Sequence, residues 1–238
     1  MNLKRRLLLG LALLAWCLLA LQLAFVLRIA LMAWLDPRST TFQRSEMLRL
    51  ALDKQQIAWA EAWVDYERIS PHLKRAVIAA EDAGFTEHTG AEWDAMEKAW
   101  SRNQKAQTAR PGSRASRLRG GSTITQQLAK NLLLSGERTV LRKGQELLLA
   151  WMLEALLDKR RILEIYLNHV EWGEGLFGAQ AAARHYFRVD AARLSPEQAA
   201  RLAVMLPAPK RFERQPASGY LLARAAAIVA RMPAVELP

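Results

Sequence analysis

The first apolar segment of the chain is long enough to cross a membrane. Residues 7–27 are apolar at all but two positions, and a helix of that length spans about 31 Å, roughly the thickness of a bilayer core. No convincing small-x-small cleavage site follows, as a signal peptide would require. We therefore predict an uncleaved transmembrane anchor at residues 7–35 after a basic tail at residues 1–6, in preference to a cleaved signal or a buried helix.

The charges before this segment predict its orientation. Lys4, Arg5 and Arg6 precede the apolar run, and such basic clusters stay on the cytoplasmic side of a membrane. We therefore expect a single crossing of the inner (plasma) membrane, with the N-terminus in the cytoplasm and the rest of the chain in the periplasm.

Helical periodicity dominates the sequence after the anchor. Residues 36–69 predict a membrane-proximal linker with an amphipathic helix from Phe42 to Trp63. Ser70 and Pro71 have the residue types of an N-cap and a first helical position, and they open a domain at residues 70–238. Strand-like alternation is nearly absent, so the predicted fold class is mainly α.

Later in the domain, seven more helices and a glycine-rich turn are predicted. Ser122 is expected to cap the helix that follows it, and the helix from Gly144 to Leu157 is apolar nearly all round, so it should be buried. The other predicted segments are a helix at 91–100, helix–turn–helix at 159–187, and helices at 195–205 and 218–231.

Composition and charge narrow the classes of function. The 238 residues carry a net charge of +11, which favours an anionic partner such as a membrane surface, a phosphorylated substrate or nucleic acid. The single cysteine, Cys17, excludes an intramolecular disulfide, and no spacing of Cys or His predicts a metal site. Residues 101–119 contain six basic residues and no acid. This basic loop could contact anionic head groups, cover a substrate or be plain disordered loop; nucleic acid is disfavoured because no aromatic residue interleaves with the charges.

Two carboxylates beside apolar runs are candidate acid–base groups. Glu81 and Asp82 come at the end of a predicted helix, where negative charge opposes the helix dipole, and such a local conflict often serves function. Glu146 lies in the apolar helix, and apolar surroundings raise the pKa of a carboxyl toward the range useful for proton transfer. A solvated Glu81–Asp82 pair and an ion pair between Glu146 and Arg142 remain open as structural alternatives.

The helix predicted after Gly121 presents amide and cationic side chains on one face. Thr123, Gln126, Gln127 and Lys130 recur there at helical spacing, opposite a face of leucine and isoleucine. Two amides and a lysine suit an oxygen-rich, phosphate-bearing ligand, which the helix N-terminus also favours. An ordinary polar face in contact with water is the alternative.

Three motifs, in this order and spacing, resemble the signature of the peptidoglycan glycosyltransferases (glycosyltransferase family 51). They are E-D-x-x-F-x-x-H-x-G at 81–90, G-G-S-T-I-T-Q-Q-x-x-K-N at 120–131 and R-K-x-x-E at 142–146, and residues 166–187 resemble a later family motif. The resemblance covers about residues 69–232 and is closest to the monofunctional, biosynthetic members. No S-x-x-K or K-T-G occurs, and the chain is too short for the transpeptidase domain of the bifunctional relatives, so no transpeptidase activity is expected.

The resemblance implies a fold, a reaction and partners. The fold would be a lysozyme-like helical glycosyltransferase domain, partly immersed in the membrane and joined to one N-terminal transmembrane helix. The reaction would polymerise lipid II, the undecaprenyl-pyrophosphoryl disaccharide-pentapeptide, into β-1,4-linked glycan strands, with inversion and release of undecaprenyl pyrophosphate. Implied partners are lipid II, the growing glycan strand and membrane lipids, with division or elongation proteins as further candidates. The sequence requires no cofactor, although Mg²⁺ or Mn²⁺ could accompany the substrate pyrophosphate.

The resemblance also assigns site residues. Glu81 corresponds to the general base that takes the proton of the acceptor 4-hydroxyl, and Glu146 to a second carboxylate that assists pyrophosphate departure or holds the site's geometry. The implied substrate-binding residues are Lys130 and Arg138 for the pyrophosphate, Ser122, Gln126, Gln127 and Asn131 around them, and Asp82, Phe85 and His88 shaping the site. This assignment fits the chemistry, because a pyrophosphate leaving group needs cations rather than a strong acid.

Two other functions remain open. A lytic transglycosylase-like enzyme cleaves glycan polymer with one essential acid, so it would leave the amide- and lysine-bearing helix without a pyrophosphate to hold. An inactive scaffold for the cell-wall machinery would have no need of Glu81, Glu146 and Lys130 together.

Overall fold

The computed structural model describes residues 3–54, 57–91, 121–134 and 139–238. The helix expected at 91–100, the basic loop at 101–119 and Arg138 therefore lie outside the described residues, apart from residue 91 itself. Within the described part the fold is mainly α, as predicted, with ten α-helices and one small sheet.

The elements follow one another in this order. They are α1 (Leu3–Leu31), α2 (Thr41–Lys54), β1 (Ala60–Glu61), α3 (Pro71–Glu81), α4 (Ile124–Leu133), α5 (Val140–Leu156), α6 (Lys159–His169), β2 (Glu171–Gly173), β3 (Leu176–Phe177), α7 (Ala179–Phe187), α8 (Pro196–Met205), α9 (Pro209–Phe212) and α10 (Gly219–Val229). Short 3-10 turns occur at Tyr66–Arg68, Ala191–Arg193 and Met232–Ala234.

The core forms where the apolar faces of these helices meet. Helix α3 packs on α8 and α10, while α4 packs on α2, α5 and α6. Leu73 and Val77 of α3 and Leu128 and Leu132 of α4 are almost completely buried, and each such side chain contributes about 1.5–3 kcal/mol by leaving water. The ends of α3 and α4 are thereby held in fixed positions, and the candidate site residues lie at those ends.

Helix caps predicted from the sequence are present at several starts. Ser70 accepts a hydrogen bond from the His72 backbone N–H at the start of α3, and Ser195 forms a full capping box with Gln198 at the start of α8. At α4 the predicted cap, Ser122, is wrong by one residue. Thr123 is the N-cap, because its hydroxyl accepts from the Gln126 N–H and also donates to the Gly90 carbonyl at 2.7 Å.

The segment before α3 is more folded than a linker helix. Helix α2 ends at Lys54, not at Trp63 as predicted, and residues 60–61 form β1, which pairs in parallel with β3. The strand pairing overrides the local helical pattern because it satisfies backbone groups such as the Ala60 N–H, which donates to the Gly175 carbonyl. This segment therefore packs into the sheet of the domain.

Helix α1, the candidate membrane anchor, is joined to the domain at its C-terminal end. It is the one described helix long and apolar enough to cross a membrane, by length and composition. Ile29 is fully buried, and Arg161 of α6 donates to the Met32 carbonyl at 2.7 Å and pairs with Asp36. Helix α1 thus continues into the domain core.

Helix α5 is not buried on all sides, contrary to the prediction. Leu141, Leu148, Trp151 and Leu156 remain between 36% and 87% exposed. The helix buries the opposite side against α4 and packs partly on α1. Its apolar residues therefore divide between a side that packs on other helices and a side that is exposed.

The glycine-rich turn predicted after α6 is a β-hairpin, β2–β3, in the described structure. Gly178 follows β3 with a φ of 84°, and a side-chain carbon there would lie 2.7 Å from the Asn168 carbonyl oxygen. Trp172 of β2 is fully buried and donates its indole N–H to the Leu202 carbonyl of α8. The hairpin is therefore held firmly against the helices, with Glu171 at its start.

Candidate active site

Glu81 is the last residue of α3, and two side chains fix its carboxyl group. Its Oε2 accepts a hydrogen bond from Gln127 Nε2 of α4 at 2.8 Å. Gln127 in turn accepts from the Tyr166 hydroxyl of α6 at 3.0 Å. Because the tyrosine can only offer its proton to the amide oxygen, the amide nitrogen is directed at Glu81. The three residues form one oriented chain.

The surroundings of Glu81 favour its protonated form. Burial raises the pKa of its carboxyl, and the neighbouring negative charge of Asp82 raises it further. The hydrogen bond from Gln127 and the positive charge of Lys130 oppose these effects without cancelling them. The sequence-based expectation of a raised pKa is thus confirmed for Glu81, and the shift moves the group toward the range of a general base.

Asp82 and His88 brace the site from behind. Asp82 is buried and accepts from the Ile124 N–H at 2.9 Å with one oxygen and from His88 Nε2 at 2.8 Å with the other. His88 Nδ1 accepts from the Gly90 N–H, so the ring proton is on Nε2. Asp82, one of the two acids at the end of α3, therefore has a structural role, because it accepts a hydrogen bond from the first turn of α4.

Phe85 is fully buried and packs inside the turn that connects Asp82 to Gly90. Lys159 lies 4.5 Å from the centre of its ring and donates to the His88 carbonyl. The same ammonium group pairs with Glu154 at 2.9 Å. Phe85 thus shapes the site through packing.

A cleft of about 290 Å³ opens beside the Tyr166–Gln127–Glu81 chain. Its lining includes Gln127, Lys130 and Asn131 of α4 and Arg142 of α5. The rest of the lining is Phe42, Leu134, Val170, Glu171, Leu206 and Pro209. Three of the predicted substrate-binding residues therefore meet at one cleft, whose two lining cations are Lys130 and Arg142.

The remaining predicted residues lie around that cleft or outside the described chain. Gln126 is buried, and Ser122 is half-buried with its hydroxyl 3.4 Å from Lys143 Nζ. Arg138 falls among the residues that the structure does not describe. Their roles toward substrate stay predictions.

Glu146 is buried and ion-paired on both oxygens. Arg142 donates to Oε2 at 3.0 Å, and Lys143 pairs with Oε1. The ion pair with Arg142 that the spacing predicted is present, and Lys143 is an additional partner. Glu146 therefore orients two cations, one of which lines the cleft.

Sequence reasoning missed three contributors to this site. Tyr166 and Arg142 both lie in motifs that the sequence analysis recognised. Tyr166 was used there only for the family resemblance, and Arg142 only for the motif and for an ion pair with Glu146. Glu171 of β2 lines the cleft. The local sequence does not predict this position, because tertiary packing brings the hairpin to the cleft.

In the ranges that the structure describes, no three His, Cys, Asp or Glu side chains form a group that could hold a metal ion. Both oxygens of Asp82 are already engaged. The suggested Mg²⁺ or Mn²⁺ stays a prediction that concerns the substrate pyrophosphate.

Comparison with known proteins identifies the family. The sequence model of the Transglycosylase family matches residues 51–233. The chain belongs to the Transglycosylase family. The match begins within α2 and ends in the last 3-10 turn, so it includes every residue of the cleft lining except Phe42.

Curated relatives in the Transglycosylase family cover most of the chain. A biosynthetic peptidoglycan transglycosylase of Paraburkholderia xenovorans is 50% identical over 94% of this chain and 89% of the relative. Proteins with the same name from Bordetella pertussis (55% identity, 87% of this chain and 84% of the relative) and Burkholderia thailandensis (52%, 94% and 84%) are similar as well.

Proposed function

We propose that this protein is a peptidoglycan glycosyltransferase that polymerises lipid II into β-1,4-linked glycan strands during cell-wall synthesis. Family membership and relatives named as biosynthetic peptidoglycan transglycosylases support the class of reaction. The structural observation that carries the proposal is Glu81, fixed by Gln127 beside a cleft lined by Lys130 and Arg142. One base next to two cations is what transfer from a pyrophosphate donor requires.

Glu81 is the general base of the proposed reaction. The acceptor 4-hydroxyl oxygen forms a bond to the donor anomeric carbon, its proton passes to Glu81, and the bond from that carbon to the pyrophosphate oxygen breaks. Configuration inverts because attack and departure take place on opposite faces of the sugar. Gln127 occupies Oε2, which leaves Oε1 to receive the proton.

The cations of the cleft stabilise the leaving group. Undecaprenyl pyrophosphate departs with negative charge, which Lys130 and Arg142 offset where it develops. Glu146 holds Arg142 and Lys143, so we assign it to positioning these cations and not to proton transfer. Arg138 is proposed, from its place in the sequence motif, as a further pyrophosphate contact.

The membrane arrangement is part of the proposal. Helix α1 supports an anchor by its length and composition, and Lys4, Arg5 and Arg6 support a cytoplasmic N-terminus. The domain would then act at the periplasmic face of the inner membrane, where the prenyl chain of lipid II need not leave the bilayer. Membrane lipids and the growing strand are its proposed partners, with division or elongation proteins as further candidates.

A polymerisation assay tests the proposal. Full-length protein in detergent is incubated with labelled lipid II, and the products are resolved by gel for wild type, Glu81→Gln, Lys130→Ala and the exposed control Glu236→Gln. We expect lipid-linked ladders from wild type and control, a loss of about 10²–10⁴-fold in rate for Glu81→Gln, and about 10²–10³-fold for Lys130→Ala.

Each of the other outcomes would indicate a different base or a different function for this protein. A wild-type rate in the Glu81 variant would exclude it as the base. Shortening of added glycan strands without a ladder would indicate the lytic transglycosylase-like enzyme. Folded protein that binds lipid II but forms neither product would indicate an inactive scaffold.

A further inference from the structure

Glu171 is the one acidic side chain among the described residues that line the cleft. It stands at the start of β2, and the residue is only 7% exposed. The two cations of the lining, Lys130 and Arg142, belong to α4 and α5. A buried carboxyl that borders a proposed pyrophosphate site needs an explanation, because a second negative charge there would repel the ligand.

No counterion is dedicated to Glu171. Lys210 Nζ lies 3.4 Å from its Oε1, within ion-pair range, but Lys210 donates its hydrogen bond to Glu46. Glu46 is itself buried and also pairs with Arg49 at 2.6 Å. In the part of the chain that the structure describes, Oε1 of Glu171 is buried without a hydrogen-bond partner.

These surroundings keep Glu171 partly neutral. Burial raises the pKa of its carboxyl to about 7, and the negative charges of Glu46 and Glu213 contribute, while Lys210 opposes the shift. The protonated form of Glu171 is therefore populated at neutral pH. A protonated carboxyl is a hydrogen-bond donor, whereas the carboxylate only accepts.

We propose that Glu171 is a further substrate-binding residue of this cleft, whose carboxyl group donates a hydrogen bond to an oxygen atom of the pyrophosphate-linked sugar. The inference rests on the proposed function, since it takes lipid II as the ligand. Glu171 adds a neutral donor to a cleft that Lys130 and Arg142 also line, so the substrate's oxygen atoms meet donors of both kinds. The buried position suits this role. When one partner of a buried hydrogen bond is removed, water does not replace it, and the full desolvation penalty of the remaining group lowers affinity.

The proposal fixes the sign of a pH dependence. Substrate oxygen binds the protonated form, so affinity is complete below the pKa of Glu171 and declines as pH rises above about 7. Glu81 has the opposite requirement, because a base must be ionised before it can accept a proton. The two carboxyls together predict a bell-shaped profile of kcat/KM.

Charged groups from several elements lie near Glu171 or line the same cleft. They are Glu46 and Arg49 of α2, Lys210 of α9, Glu213 after it, and Lys130 and Arg142 of the cleft lining. His169, two residues earlier, lies beside Trp63 and Glu61, and its contribution is measured by comparison with variants in which only residue 171 is changed.

Steady-state kinetics on full-length protein test the inference. KM for lipid II is measured from about pH 6 to about pH 8.5 for wild type, Glu171→Gln, Glu171→Ala and the control Glu236→Gln. Wild type and control should show a KM that rises about fivefold across this range, the effect of one neutral hydrogen bond. Glu171→Gln, whose amide always donates, should keep a low and flat KM, and Glu171→Ala a high KM at every pH.

A purely structural role would give a different pattern. If Glu171 only paired with Lys210, the amide would weaken that pair and raise KM as alanine does, or leave the wild-type pH profile unchanged. Either result would overturn the inference.

Proton uptake provides a second measurement that does not depend on turnover. In a Glu81→Gln background lipid II is consumed at least about 10²-fold more slowly, and residue 81 no longer titrates. Calorimetric titration of lipid II at pH 7 in two buffers of different ionisation enthalpy should show net uptake of protons. The Glu81→Gln, Glu171→Gln double variant should take up none.

The outcomes separate this inference from the proposed function. Wild-type ladders together with binding that takes up no proton would overturn the role of Glu171 alone. Absence of both ladders and lipid II binding would overturn the proposed function and this inference with it.

Discussion

Three glutamates around the cleft differ in their surroundings. Glu81 is held by one neutral amide, Glu146 by two cations, and Glu171 by a lysine that bonds elsewhere. A carboxyl group without a dedicated counterion can exchange a proton at low cost. These surroundings agree with the three roles proposed above: a base for Glu81, a residue that positions cations for Glu146, and a neutral donor for Glu171.

Glu81 should reduce the stability of the folded protein at neutral pH. Burial raises the pKa of its carboxyl above the unfolded value of about 4.3, so the native state binds more protons and stability declines as pH rises through this interval. We expect Glu81→Gln to raise the apparent Tm at pH 7, measured by circular dichroism in detergent, and to match wild type near pH 3.5. Glu236→Gln should leave Tm unchanged at both values, and a lower Tm for Glu81→Gln at pH 7 would contradict the argument.

Residue identity alone predicted part of this site. The sequence motifs predicted the positions of Glu81 and Lys130 in the site. In the structure Glu81 lies at the end of α3 and Lys130 lies on α4. The groups that shift the pKa of Glu171 could not be predicted, because they come from α2, α9 and the turn after it. Such shifts arise from tertiary packing of charges, for which the local sequence has no pattern.

At the scale of elements, the site depends on how the start of α4 is held against the end of α3. Thr123 caps α4 and reaches back to Gly90, while Asp82 accepts the Ile124 N–H and the His88 ring proton. The junction joins two helix termini whose backbone groups lack partners within their own helices. Gln127 reaches Glu81 only because this junction fixes the two helices.

Replacing Asp82 should therefore loosen the junction. Asparagine has a single acceptor oxygen, so Asp82→Asn leaves either the Ile124 N–H or His88 without its acceptor. We expect a loss of about 2 kcal/mol in the free energy of unfolding, which lowers Tm by about 4–8 °C in a protein of this size. Asp65→Asn is the matched control, since Asp65 is exposed and its side chain makes no cap hydrogen bond. Equal Tm values for the two variants would show that Asp82 does not brace α4.

Elements were predictable where their signals were local. Helix α3 begins at the Ser-Pro pair that predicted it, α8 begins within one residue of its predicted start, and the helical fold class followed from periodicity. The end of α2 and the β-sheet could not be predicted, because β1 is defined by its pairing with β3, far along the chain. The exposed face of α5 was also missed, since apolar residues that face a core and apolar residues that face outward look the same in a sequence.

At the scale of the whole molecule, α1 and α5 form one apolar surface. The exposed side chains Leu141, Leu148, Trp151 and Leu156 fall on a single side of α5. Gln145 lies on that same side and exchanges hydrogen bonds of 3.2 and 3.3 Å with Gln22 of α1. An exposed apolar surface continuous with an anchor helix is typical of contact with a membrane.

We therefore expect the exposed face of α5 to lie in the lipid. A polarity-sensitive fluorophore is attached at Leu148→Cys in full-length Cys17→Ala protein, reconstituted in liposomes, and quenching by phospholipids with brominated acyl chains is measured. Leu222→Cys is the matched control, because it is also an exposed leucine but stands on α10, which packs on α3 and α8. The label at 148 should emit at shorter wavelength and be quenched several-fold more than the label at 222, since bromine quenches only at contact range. Equal quenching at the two positions would mean that α1 alone enters the bilayer, and the cleft would then have to receive its prenyl-linked substrate from above the membrane surface.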